Sequence, residues 1–77
     1  MKIQDKLASK GFNESLIKFA HSRTRNKNSS ILHAFLVGEN EGTYNVKLEL
    51  SCGRMVCYDL NLARLRQKKL NLFLEKG

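Results

Sequence analysis

The chain has 77 residues, 42% of them hydrophobic, with two cysteines, no proline and a formal net charge of +7. That length bounds it to one domain with a thin core, its ordinary apolar content excludes disorder, and two cysteines are too few for a disulfide framework. No apolar run approaches the ~18 residues of a membrane span, and the polar start Met1-Lys2-Ile3-Gln4 lacks a signal-peptide core, so a cytoplasmic protein without membrane contact is expected.

Taken in chain order, residues 2–10 predict a short helix, with Ile3, Leu7 and Ala8 on one face. Gly11 suits the left-handed position just past a helix end. Asn13 is placed to cap a second helix over about 14–25, and Glu14 complements its dipole. Phe12 and Ile17 have the spacing of a hydrophobic staple. Leu16, Ile17, Phe19 and Ala20 form the buried stripe of that helix.

The polar run Asn26–Ser30 breaks the helical pattern. Ile31–Val37 follows as a strand that is apolar at nearly every position, and Gly38–Gly42 as a hairpin loop. Thr43–Leu50 alternates, with Tyr44, Val46, Leu48 and Leu50 inward and Asn45, Lys47 and Glu49 outward. A Cys52-Gly53 turn leads to a third strand, Arg54–Tyr58, which places Cys57 far from Cys52 and makes both cysteines small buried side chains. From Asn61 onward a narrow polar stripe, Asn61, Arg64, Lys68, Asn71 and Glu75, predicts a helix, although Leu70–Leu74 alone also fits a short strand.

The fold class is therefore α+β: two N-terminal helices, a three-stranded antiparallel sheet and a C-terminal helix packed on it. One domain over residues 1–77 divides into a helical pair with a basic segment (1–27), a β-meander (31–58) and the last helix (60–75). A meander whose first strand is apolar on both faces needs that strand to be central or its edge covered. A homodimer is one way to cover it.

Chemistry is sparse. His21 reads as an exposed residue of a basic helix and His33 as a partly buried one on a strand. Neither has a nucleophile or acid at a telling spacing, Cys57 has no flanking cation, and no Cys-x-x-Cys or His-x-x-x-His pattern occurs. No catalytic residue, metal or cofactor is expected.

Charge is the informative pattern. Residues 1–27 carry a net +5, residues 64–77 a net +4 and the intervening 28–63 a net −2. Basic helical ends around a near-neutral sheet point to a polyanion or to an acidic protein surface. The first cluster, Lys18, His21, Arg23, Arg25 and Lys27, is interleaved with Ser22, Thr24 and Asn26, side chains that hydrogen-bond phosphate oxygens. The second is Arg64 and Lys68, one helical turn apart, while Arg66 and Lys69 project elsewhere and must snorkel across apolar surface. A stacking platform for RNA bases is not expected, because Tyr44 points inward and Phe35 lies on an apolar strand. The leading expectation is a non-enzymatic nucleic-acid-binding protein, for DNA or RNA. The alternative is a small inhibitor or adaptor of the phage or mobile-element type, whose basic face fills an acidic or nucleic-acid-binding groove on a host complex.

Overall fold

Residues 2 and 3 are extended rather than helical, and this changes the sheet. The computed structural model describes the backbone of residues 1–76 and the side chains up to Leu72. Its elements are β1 (Lys2–Ile3), α1 (Asp5–Ser9), α2 (Glu14–Ser22), β2 (Ile31–Asn40), β3 (Thr43–Leu50), β4 (Met55–Asn61) and α3 (Leu62–Lys76). The fold is α+β, as the pattern predicts, but the sheet is mixed and four-stranded in the order β1-β2-β3-β4. β1 runs parallel to β2, with Lys2 opposite His33 and Ile3 opposite Ala34.

Backbone demand explains β1. The Gln4 amide donates to the Ala34 carbonyl at 3.0 Å, and the Gln4 side chain accepts from the Leu36 amide at 2.9 Å. Residues 2–4 thus satisfy groups that β2 would otherwise leave bare. The i,i+4 spacing of Ile3 and Leu7 mimics a helix only because both side chains pack against the same core. The apolar first strand of the meander is consequently an inner strand, its edge from His33 to Leu36 met by the chain's own start.

The helix ends obey local chemistry. Gly11 has φ 106°, and the Gly11 and Phe12 amides donate to the carbonyls of Ala8 and Leu7, closing α1 as a Schellman motif. Asn13 caps α2, its side-chain oxygen accepting from the Leu16 amide at 2.8 Å. Phe12 and Ile17 are both buried, as the staple requires. α2 ends at Ser22, three residues before the expected end, because the Thr24 hydroxyl bonds the His21 carbonyl at 2.7 Å in place of a continuing helical amide.

The strands run longer than their patterns suggest. β2 continues to Asn40, so the hairpin loop is only Glu41-Gly42, both with positive φ, which is the type I′ signature. Two bulges, at Leu32 and Val37, let β2 carry residues the alternation does not accommodate. α3 is helical throughout 62–76, which settles Leu70–Leu74 as helix.

All three helices pack on one sheet face. Leu7, Leu16, Ile17 and Leu65 meet Ala34, Val46, Leu48 and Leu50 there. The opposite face carries no helix; along its rows His33 lies opposite Glu49, and Phe35 opposite Lys47, which in turn is opposite Cys57. His33 is half-buried and its Nδ1 hydrogen-bonds the Glu49 carboxylate at 2.6 Å, in line with a satisfied strand histidine. Both cysteines are exposed and free, contrary to the expected burial: Cys52 sits at the tip of a turn and Cys57 on the helix-free face.

Candidate nucleic-acid interface

β4 is the edge strand that organises the basic residues. Its alternation puts Val56, Tyr58 and Leu60 toward the helices, half-buried, and Met55, Cys57 and Asp59 toward the other side, exposed. Tyr58 reaches up to the segment that follows α2. Its hydroxyl donates to Thr24 Oγ1 at 3.2 Å and accepts from Asn26 Nδ2 at 3.0 Å. These bonds seat the turns carrying Arg23, Arg25 and Lys27 against the strand, with all three cations exposed.

The polar residues of this segment hold it together. Ser22 donates to the Phe19 carbonyl at 2.6 Å, and the Thr24 hydroxyl hydrogen is committed to the His21 carbonyl. Ser22 and Thr24 therefore have no free hydroxyl hydrogen for a phosphate, and Asn26 retains one amide hydrogen. The expected assisting residues are chiefly positioning residues. Arg23 lies with its guanidinium carbon 5.7 Å from the centroid of the Phe19 ring, which fixes its stem while leaving donors free.

His21 is buried, not exposed as its basic neighbours suggested, with 5% of its surface accessible. Its Nε2 lies 2.7 Å from the Ser29 carbonyl, so Nε2 is the protonated nitrogen, and the buried Nδ1 has no partner. The ring ties the end of α2 to the 26–30 turn. Lys18, Ser22 and Lys27 border the same recess of about 350 Å³, together with His21, Asn28, Ser29 and Ser30. Lys18 also ion-pairs with Glu14 at 3.0 Å, and this pairing holds the Glu14 carboxyl below its ordinary range.

The second cluster starts where β4 ends. Asn61 caps α3 by accepting from the Arg64 amide at 3.0 Å, so the strand passes into the helix without a loop. Arg64 and Lys68 then border a shallow recess of about 440 Å³ over Thr43, Asp59, Leu60 and Asn61. Tyr58 and Asn61 are three residues apart on an extended strand, about 10 Å. Segments separated by some forty positions of sequence are thereby attached at neighbouring points of one strand. Among the described residues, no carboxylate forms an ion pair with Arg23, Arg25, Lys27, Arg64 or Lys68.

Arg66 and Lys69 serve the fold instead. Arg66 Nη2 donates to the Gly11 carbonyl at 3.2 Å, and Lys69 bonds the Ser15 hydroxyl. Both reach from α3 to the junction of α1 and α2. Sequence reasoning overlooked Tyr58, the residue that joins the first cluster to the sheet. The Val56-Tyr58-Leu60 alternation was the available signal, since an inward tyrosine needs a partner for its hydroxyl.

The arrangement can display positive charge; among the described residues no group of three His, Cys, Asp or Glu side chains is gathered that could hold a metal ion. No described helix is long and apolar enough to cross a membrane. No protein-family model, curated protein or solved structure matches the chain.

Proposed function

We propose that the protein is a non-enzymatic nucleic-acid-binding protein that contacts the phosphate backbone along β4. The observation that carries this reading is the pair of Tyr58 bonds, which fix the Arg23–Lys27 segment to the strand from whose end Arg64 and Lys68 project. Five cations that form no ion pair among the described residues, on a preformed support, suit a polyanion, because each phosphate neutralised releases condensed counterions. Arg23, Arg25, Lys27, Arg64 and Lys68 make the contacts, and Thr24, Asn26 and Tyr58 hold the first three in place.

The test is a fluorescence-anisotropy titration against duplex DNA, duplex RNA and single strands at two salt concentrations. Micromolar or tighter binding that weakens steeply with salt is expected. Arg25→Glu and Lys68→Glu should each weaken it and lower the salt slope by about 1. Lys6→Glu, the same charge change on α1 beside β2, should matter far less. No binding at low salt would overturn the reading.

A second reading, an inhibitor or adaptor that docks on an acidic protein, is favoured by one observation. Leu70 and Leu72 of α3 are exposed, at 53% and 38%, next to Lys68 and Lys69. Binding to such a partner would depend weakly on salt and concentrate in a few side chains.

A further inference from the structure

The two edges of the sheet are built differently. On one side β2 is interrupted by bulges at Leu32 and Val37, paired with β1 at His33 and Ala34, and capped by the Gln4 side chain on the Leu36 amide. These are the devices that keep an edge from pairing with another chain. On the other side β4 pairs with β3 in unbroken register from Met55 to Asn61. It has no bulge, no proline and no lysine or arginine, and Asp59 is its single charge.

The hydrogen-bond pattern shows which backbone groups β4 leaves open. At the turn, the Leu50 amide donates to the Arg54 carbonyl at 2.9 Å and the Gly53 amide to the Leu50 carbonyl at 3.0 Å. Antiparallel pairing then alternates, so Leu48–Val56, Val46–Tyr58 and Tyr44–Leu60 are the pairs that exchange backbone bonds. The amides and carbonyls of Met55, Cys57 and Asp59 consequently point away from β3. Asn61 marks the end of the run, because its side chain accepts from the Arg64 amide and the chain turns there into α3.

We propose that β4 pairs antiparallel with β4 of a second copy, about a two-fold axis at Cys57, giving a continuous eight-stranded sheet. The register follows from the open groups: it sets Cys57 opposite Cys57 and Met55 opposite Asp59, and satisfies every open amide and carbonyl from Met55 to Asp59. On the helix side it places Val56 opposite Tyr58 twice, a β-branched residue against an aromatic, which is a favourable cross-strand pair. The two Asp59 side chains stay apart. The segment thus matches itself, and a closed two-fold pairing ends the sheet's growth at two subunits. The proposal stands independently of nucleic-acid binding.

Sedimentation equilibrium over rising protein concentration tests it. A dimer is expected, converted to monomer by Cys57→Pro with unchanged circular dichroism, since that proline removes only an amide facing away from β3. Cys57→Ala should remain dimeric. If Cys57→Pro does not fold, Cys57→Lys decides, because two facing lysines repel while the backbone donor remains. Amide exchange gives a direct readout: Cys57 and Asp59 should gain protection as concentration rises, whereas Val56 and Tyr58 are protected throughout. A wild-type protein that stays monomeric, including one that captures only a foreign strand, overturns the proposal. So does a folded Cys57→Pro or Cys57→Lys variant as dimeric as wild type.

Discussion

The Tyr58 hydroxyl donates to Thr24 Oγ1 at 3.2 Å, a bond spanning 34 positions of sequence that ties the basic segment to the edge strand. Tyr58→Phe removes it together with the bond from Asn26. Two part-buried polar groups lose a partner, so a loss of about 1 kcal/mol is expected in urea unfolding. The released segment pays an ordering entropy on binding, so nucleic-acid affinity should fall severalfold without any change in net charge. Unaltered affinity in anisotropy titration would show that Tyr58 does not position the cations.

Gly11 and Arg66 meet with little room to spare. A Cβ on Gly11 would stand 2.6 Å from Arg66 Nη2, and Gly11 has φ 106°, a conformation L side chains rarely adopt. Gly11→Ala should therefore destabilise the fold by roughly 1–3 kcal/mol. In an Arg66→Ala background the added cost should shrink but persist, because removing the guanidinium relieves the clash and not the backbone strain. Thermal melts of the four proteins in the cycle measure both parts.

Glu41 holds φ 49° at the first central position of the β2–β3 turn, where asparagine is preferred ahead of glycine. Glu41→Asn should stabilise the protein by up to about 1 kcal/mol, since asparagine tolerates the left-handed region. The Glu41 side chain is exposed, so little packing is lost. An unchanged or lowered denaturation midpoint would contradict the turn assignment.

Cys52 is an exposed thiol whose pKa lies below the ordinary thiol value, chiefly through a hydrogen bond from Ser29 and further through the backbone at Arg54. Lowering the pKa favours the thiolate, so the thiolate fraction at a given pH below the ordinary value is larger in the folded protein. Iodoacetamide labelling in a Cys57→Ala background should show a midpoint at lower pH when folded than in urea. Ser29→Ala should move the folded midpoint up. Identical folded and unfolded profiles would remove the effect.

The legible parts were those governed by neighbours in sequence. Asn13 capping Leu16, Gly11 at positive φ and the inward row Tyr44, Val46, Leu48, Leu50 all follow from short-range rules, and all are observed. The two-residue parallel pairing of the chain's start with β2 was not legible, since its partner lies about thirty residues away and its only local signal imitates a helix. His21 shows the same limit. Its basic neighbours suggested exposure, but the ring is buried and bonded to the Ser29 carbonyl, eight residues on and beyond the reach of the helical pattern.

By itself the sequence determined an α+β domain, the polarity of its strands and the concentration of positive charge at its two ends, because periodicity and charge are properties of neighbouring residues. Tertiary structure alone decided that both ends attach to β4, that Arg66 and Lys69 reach the α1–α2 junction while Arg64 and Lys68 border a shallow recess, and that one sheet edge carries bulges and a short parallel strand while the other runs in unbroken register. Those outcomes depend on hydrogen bonds between residues far apart in the chain, whose partners exist only once the strands have chosen their neighbours.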